Sequence, residues 1–195
     1  MDDDQFKILL DYLGYSWRGY RKVRKGVKKR IRRHMQHLAC RDVHAYLDLL
    51  AHQVERRHEC ELLMTVSISR FFRDRYMWHM LENRWLPDIL AGNPPRFGVW
   101  SAGCACGEEV YTFKMVWAHL QGDFERLPPL QILASDRNPE HINWGRCGVY
   151  KRSSLREVSA DDRAAFFESR KGAKQFAVKN VHKSGITWEI CNLLT

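Results

Sequence analysis

Hydrophobic residues recur every three or four positions through the first sixty residues, a spacing that predicts a series of amphipathic helices. The first helix is expected to end at Gly14, and Asp42 is expected to cap a later helix through its side-chain oxygen. We therefore expect the chain to begin with a small helical unit. The positions that define its apolar faces are Phe6, Ile8, Leu9, Leu10, Leu13, Val43, Tyr46, Leu47, Leu50, Val54, Leu62 and Leu63.

The pattern changes after residue 96, where short apolar runs are bounded by glycine or proline, as is typical of buried strands. The predicted strands are the run that begins at Phe97, the segment LQILASD at 130–136, and the segments 175–178 and 186–191. A capping-box pattern at Ser159 predicts an intervening helix that contains Phe166 and Phe167. Strands that alternate with helices predict an α/β sheet.

The segment FGVWSAGCACGEE, residues 97–109, predicts a strand, a tight loop and the start of a helix. Gly103 and Gly107 permit backbone angles that other residues rarely adopt, and they leave room for a ligand. The spacing matches neither the dinucleotide fingerprint GxGxxG nor the phosphate-binding GxxxxGK[ST]. Two interpretations stay open at this point, a ligand-binding corner and an ordinary turn between a strand and a helix.

Composition restricts the class of protein. The 195 residues are 45% hydrophobic, enough for one good core with a helical appendage, and no apolar run approaches the roughly 20 residues of a membrane span. The acidic N-terminus does not resemble a signal peptide. Six irregularly spaced cysteines do not suggest a disulfide framework. We therefore expect a reduced, cytoplasmic protein without membrane insertion.

The net charge of +9 is concentrated between Arg18 and Arg33, where ten lysines and arginines accompany apolar residues at helical spacing. The basic face of this predicted helix could bind nucleic acid, an anionic membrane surface or an acidic protein, or it could simply be solvated. Nucleic-acid binding is disfavoured because no aromatic residues interleave with the cations from Arg21 to Arg33.

Polar residues before and after the segment 97–109 are candidate ligand contacts. Ser67, Ser69 and Arg73 could bind a carboxylate or backbone groups, although Ser69 could equally cap the next helix and Arg73 could pair with Asp74 or Glu82. Asp136 ends a predicted strand, where an acidic residue of a doubly wound fold binds ribose hydroxyls.

The order of these segments resembles the CheR family of S-adenosylmethionine-dependent methyltransferases, which esterify glutamates of bacterial chemoreceptors. The matching segments are the basic second helix, TVSISRFFRD, WSAGCACGEEVYT, ILASDRNPEHINWGRCGVYKRSSLREV and the final NLL. The resemblance implies a Rossmann-like α/β domain of the class I methyltransferases preceded by a small all-α domain. The implied boundaries are 1–64 for the helical domain, 65–96 for a linking segment, and 97–195 for the first half of the cofactor-binding sheet.

The resemblance also implies roles for particular residues. Ser67, Ser69 and Arg73 would hold the methionine end of S-adenosylmethionine, and Asp136 would hold its ribose. Gly103 and Glu108 would lie beneath the methionine moiety, while Asn192 and Leu193 would flank the adenine. The implied partner is an acidic helical segment of a methyl-accepting chemoreceptor, bound by Arg24, Lys28, Lys29, Arg32 and Arg33. S-adenosylhomocysteine would be the product.

The implied activity is that of a protein-glutamate O-methyltransferase in chemotaxis, with no assigned catalytic acid, base or nucleophile. Family members continue beyond NLL, so we expect this chain to be a fragment or a truncated product. The alternatives are a module that binds cofactor or receptor without catalysis, and a metal protein that uses Cys104 and Cys106. A lone Cys-x-Cys is a poor zinc signature, so no metal is expected.

Overall fold

The computed structural model describes residues 1–65, 69–122, 124–170, 172 and 174–193. The chain divides into two compact units, Met1–Ser67 and Ile68–Thr195. Each unit has a hydrophobic core of its own. Within the described residues, no helix combines the length and the apolar character needed to cross a bilayer.

The first unit is helical, as the hydrophobic spacing predicts. Its helices are α1 (Asp3–Leu13), α2 (Trp17–Tyr20), α3 (Arg24–His37), α4 (Val43–His52) and α5 (Val54–Met64). The side chain of Asp42 accepts a hydrogen bond from the Ala45 N–H at 2.9 Å, which caps α4 as expected. Gly14 ends α1 with a φ of 73°, a backbone conformation in which glycine is favoured. The helices enclose a core formed by Phe6, Leu9, Leu10, Val27, Ile31, Val43, Tyr46, Leu50, Cys60 and Met64.

The basic segment is two helices rather than one, which corrects the sequence interpretation. The chain turns between α2 and α3, and Gly26 lies inside α3 without interrupting it. Arg24 and Lys28 both contact the carboxylate of Asp3, and their charges lower its pKa, the bond from Lys28 contributing most. Part of the basic charge is therefore neutralised within the unit.

The second unit contains the α/β segment. Its elements are α6 (Arg75–Met80), which continues through a π-helical turn (Leu81–Trp85) into α7 (Leu86–Leu90), then β1 (Phe97–Ala102), α8 (Glu108–His119), β2 (Leu130–Asp136), α9 (Pro139–Cys147), β3 (Val149–Lys151), α10 (Ala160–Phe166), β4 (Phe167–Arg170), β5 (Gln175–Val178) and β6 (Ile186–Ile190).

Strands β1, β2 and β6 form a parallel sheet in the order β1-β2-β6. The register pairs Ala102 with Ser135 and Asp136 with Ile190, so the carboxyl ends of all three strands meet at one edge. Helix α8 packs on this sheet, where Phe97 contacts Phe113 and Trp117 with ring centroids 6.4 and 4.8 Å apart. This arrangement confirms the predicted α/β class, because parallel strands joined by helices are its defining feature.

A second, antiparallel sheet in the order β3-β5-β4 was not predicted. Phe167 begins β4, whereas the sequence pattern places it in the preceding helix. Helix α10 does begin at a cap, since the Ser159 hydroxyl accepts a bond from the Asp162 N–H at 2.9 Å. Phe166 and Phe167 are both buried, and a continuous helix or an extended strand could bury them equally well, so their apolar character does not locate the end of the helix. Phe167 leaves the helix because it pairs with Val178 of β5.

His119, the last residue of α8, connects two other elements. Its Nδ1 lies 2.9 Å from Glu82 Oε1 in the π-helical turn, and its Nε2 lies 2.6 Å from Asp162 Oδ1 in α10. The hydrogen bond to Asp162 outweighs the effect of burial and raises the pKa of His119 to about 9. At neutral pH the imidazolium can therefore donate to both carboxylates and hold these elements at the end of α8.

Candidate functional site

The loop between β1 and α8 is folded against the end of β2. Gly103 and Gly107 have φ values of 73° and 83°, as their positions in the loop predict. The N–H groups of Gly103 and Cys104 both donate to the Ser135 carbonyl, at 2.8 and 2.9 Å. A Cβ atom added to Gly103 would meet nothing within 4 Å. The loop is thus held by backbone bonds while open space is left beside Gly103.

Asp136, at the end of β2, is buried and bound on both carboxylate oxygens. The Ala105 N–H donates to Oδ2 at 2.9 Å, and the Asn138 N–H donates to Oδ1 at 2.9 Å. His141 Nδ1 lies 3.2 Å from Oδ1. Burial acts to raise the pKa of Asp136, but the bonds from His141, Asn138 and Ala105 together lower it below its ordinary value. Asp136 is therefore a carboxylate, with acceptor capacity remaining for hydroxyl donors.

Glu108, the first residue of α8, is a second buried carboxyl group at this corner and is 5% exposed. Burial raises its pKa, while a side-chain hydrogen bond from Ser69 acts in the opposite direction. Its Oε2 is buried without a hydrogen-bond partner in the described part of the chain. An orphaned carboxylate oxygen is costly unless a ligand supplies a donor, so this atom fits a group that carries an ammonium or N–H.

Three of the predicted ligand contacts, Ser67, Ser69 and Arg73, precede α6 in the chain. Ser67 lies outside the described residues. Ser69 contacts Glu108 and does not cap α6, which begins at Arg75 after Asp74. Arg73 is about half exposed, and its Nε lies 3.8 Å from the Asp74 carboxylate, the local pairing that the sequence also allows.

Asn192 and Leu193 follow the carboxyl end of β6, beside Asp136. The Cys191 N–H donates to the Asp136 carbonyl at 3.1 Å, which fixes the start of this segment against β2. The Leu193 side chain is 52% exposed, so it is available for contact with a ligand. Contacts at one edge of the sheet thus bring the Gly103 loop and Cys191 to the end of β2, where Asp136 lies, and place Ser69 beside Glu108, while Asn192 follows Cys191 directly in the chain.

The two cysteines of the loop are unsuited to nucleophilic chemistry. Burial raises the pKa of Cys104 and of Cys106 to about 12, so both are neutral thiols at physiological pH. Within the described ranges, no three or more His, Cys, Asp or Glu side chains are grouped so that they could hold a metal ion.

Several residues that shape this corner are absent from the predictions made from the sequence. The Tyr150 hydroxyl donates to the Cys106 carbonyl at 2.7 Å, and the Tyr111 hydroxyl donates to the Gly145 carbonyl at 3.0 Å. His141 contacts Asp136. A distant tyrosine is not predictable from local spacing, whereas a histidine five residues after the strand-end acid could be suspected from its place in the next helical turn.

Comparison with known proteins identifies the family. Residues 67–195 match the family model for the CheR methyltransferase, SAM binding domain. This match includes β1, the loop, α8, β2 and β6, which together form the site described above. The chain belongs to the CheR methyltransferase family. The family resemblance and the Rossmann-like fold class inferred from the sequence are thereby confirmed.

Similar proteins are chemotaxis methyltransferases of several bacteria. A chemotaxis protein methyltransferase of Listeria monocytogenes is 31% identical over 133 residues, which cover 68% of this chain and 48% of the relative. A probable chemotaxis protein methyltransferase of Rhizobium etli is 28% identical, with 86% of this chain and 65% of the relative covered. Chemotaxis protein methyltransferase 1 of Pseudomonas aeruginosa is 28% identical, with 67% and 49% covered. The CheR-family chain thus spans between about half and two thirds of these relatives.

Proposed function

We propose that this chain binds S-adenosylmethionine at the carboxyl edge of its parallel sheet and acts in methyl transfer to glutamate side chains of chemoreceptors. The observation that carries the proposal is the pair of buried carboxyl groups, Asp136 and Glu108, at the corner matched to the family's SAM-binding domain. Open sheets bind nucleosides at this edge.

The residues at the corner fit the chemistry of the cofactor. Asp136 would accept bonds from the ribose hydroxyls, since its carboxylate has lone pairs beyond those used by the protein. Glu108 would accept a bond from the amino group at the methionine end through its unpartnered Oε2. Gly103 would permit close approach, because its missing side chain leaves open space. Ser67, Ser69, Arg73, Asn192 and Leu193 complete the proposed contacts.

Methyl transfer to a carboxylate requires little from the protein beyond positioning. When bound, S-adenosylmethionine supplies an activated methyl group on a sulfonium. A glutamate acceptor has an ordinary pKa of about 4.3 and is already ionised at neutral pH, so no general base is needed. Alignment of the two groups can supply about 7–11 kcal/mol of the barrier. The neutral thiols of Cys104 and Cys106 accord with a site that binds and orients rather than attacks.

Titration of S-adenosylhomocysteine into the chain tests the binding step. We expect saturable binding of one equivalent by isothermal titration calorimetry, and no comparable heat with adenosine monophosphate, which lacks the amino-acid moiety. Incubation with S-adenosylmethionine that carries a labelled methyl group and with chemoreceptor cytoplasmic fragments then tests transfer. Binding without label transfer would select the alternative of a non-catalytic cofactor-binding module, and absence of binding would contradict the proposal as a whole.

The proposed partner surface is the exposed side of α3. Lys29, Arg32 and Arg33 are exposed, while Val27 and Ile31 on the opposite side of the helix are buried. Arg24 and Lys28 share the Asp3 carboxylate, which leaves less of their charge for a partner. Within the proposed set, the three exposed cations would therefore contribute most to attraction of an acidic helical segment of a chemoreceptor.

Charge reversal tests this surface. The triple variant K29E/R32E/R33E is expected to bind a glutamate-rich helical peptide at least about tenfold more weakly than the unchanged chain, because attraction becomes repulsion. Fluorescence anisotropy at low ionic strength measures the affinity, and added salt should reduce the difference.

A matched control changes the same net charge elsewhere. The variant K151E/R152E/R170E replaces three exposed cations of the second unit and should bind the peptide nearly as well as the unchanged chain. Equal losses of peptide affinity in both triple variants would show that net charge, and not the surface of α3, determines binding. Tight binding of duplex DNA, abolished only by the α3 substitutions, would favour nucleic acid over an acidic protein as the partner.

A further inference from the structure

His141 lies at the junction between the candidate ribose-binding acid and the next helix. It is the third residue of α9, is 9% exposed, and brings Nδ1 to 3.2 Å from Asp136 Oδ1. Its ring also lies beside Trp144, with centroids 6.3 Å apart. An ionised carboxylate can only accept, so Nδ1 must carry the proton that it donates to Asp136.

The contacts of Asp136 divide unequally between its two oxygens. Oδ1 receives both the Asn138 N–H and His141 Nδ1, whereas Oδ2 receives the Ala105 N–H. One backbone donor, Ala105, belongs to the loop between β1 and α8, and the other, Asn138, follows β2. His141 supplies the one side-chain donor among these three contacts. Its bond is a third restraint on rotation of the carboxylate, in addition to the two backbone bonds.

His141 also has a small effect on the second buried carboxyl group. Burial, the bond from Ser69 and a backbone hydrogen bond affect the pKa of Glu108 more strongly, and the interaction with His141 acts to lower it. The direct contact of the imidazole is with Asp136, at 3.2 Å.

We propose that His141 is a positioning residue, which orients the Asp136 carboxylate to accept hydrogen bonds from the ribose hydroxyls of the bound nucleoside. This inference rests on the proposed function, because it assigns the ribose to Asp136. In this role His141 does not touch the ligand, because the imidazole acts through the Asp136 carboxylate. Loss of the imidazole should therefore weaken binding only of ligands that carry the ribose hydroxyls.

The test compares two ligands and two substitutions. His141→Leu removes the donor, and we expect it to weaken binding of S-adenosylhomocysteine about tenfold, in line with loss of a bond to a charged group. Binding of the 2′,3′-dideoxy analogue, which lacks the ribose hydroxyls, should change less than about twofold. His141→Gln retains an N–H donor and should stay within about threefold of the unchanged chain for both ligands.

Controls separate positioning from general damage to the fold. Asn143→Leu alters an exposed residue of the same helix and should leave both affinities unchanged. Thermal melts establish that each variant is folded, and ¹⁵N spectra of the unchanged chain should report a proton on His141 Nδ1. If His141→Leu does not fold, the ¹⁵N spectrum and His141→Gln still decide the matter.

The possible results have distinct meanings. Equal weakening of both ligands by His141→Leu, failure of His141→Gln to preserve affinity, or an unprotonated Nδ1 would overturn the role of His141. If the unchanged chain does not bind S-adenosylhomocysteine at all, the proposed function itself fails. The two failures are distinguishable, because the unchanged chain still binds S-adenosylhomocysteine when only the role of His141 is wrong.

Discussion

Replacement of Asp136 by alanine is expected to weaken binding of S-adenosylhomocysteine by about 100-fold or more, as measured by calorimetry. The carboxylate would accept bonds from ribose hydroxyls, and hydrogen bonds to a charged group contribute about 1.5–3 kcal/mol each. The substitution also leaves the Ala105 and Asn138 N–H groups without their acceptor. The loop that lines the site would then lose one of its attachments to β2.

Asparagine at this position is expected to be almost as damaging as alanine. Protein donors face both carboxylate oxygens, the Ala105 N–H on Oδ2 and the Asn138 N–H on Oδ1. Whichever way the amide of Asp136→Asn is turned, its NH₂ group meets another donor. Unchanged affinity in a folded Asp136→Ala variant, verified by its melting curve, would remove Asp136 from the ribose site.

Much of the corner formed by β1, the following loop and α8 could be anticipated because its signals are local. Apolar residues from Phe97, two glycines and the acids that follow them predict a strand, a loop and a helix, and the structure has this order. Asp136 ends its strand as the pattern indicates. A capping residue or a glycine with positive φ acts within a few positions of itself, so that its neighbours in sequence are sufficient to reveal it.

The features that sequence reasoning missed depend on partners far along the chain. Trp188 packs against Gly107 and Gly145, which are separated from it along the chain by many residues and by at least three other strands. Phe167 begins a strand because β5 pairs with it, and its own neighbours do not reveal that pairing. Similarly, the partition of the basic residues into exposed cations and those held by Asp3 requires the packing of α1 beside α3.

Gly107→Ala is expected to lower the free energy of unfolding of the second unit by about 3 kcal/mol. The residue has a φ of 83°, and a non-glycine residue in the left-handed region costs about 1–2 kcal/mol. The added Cβ would also lie 2.7 Å from the Trp188 ring and 3.1 Å from the Gly145 backbone, and overpacking of this kind costs about 1–3 kcal/mol. Urea denaturation monitored by tryptophan fluorescence measures the change.

Gly103→Ala provides the matched control, since Gly103 has a comparable φ of 73° but open space where a Cβ would be placed. It should cost only the backbone contribution of about 1–2 kcal/mol. In a Trp188→Leu background the additional penalty of Gly107→Ala should shrink toward the same value, because the ring that it strikes is gone. Equal losses at the two glycines, insensitive to Trp188, would mean that backbone conformation alone requires glycine. The contrast between the two positions therefore separates a glycine needed for close packing from a glycine needed only for its backbone angle.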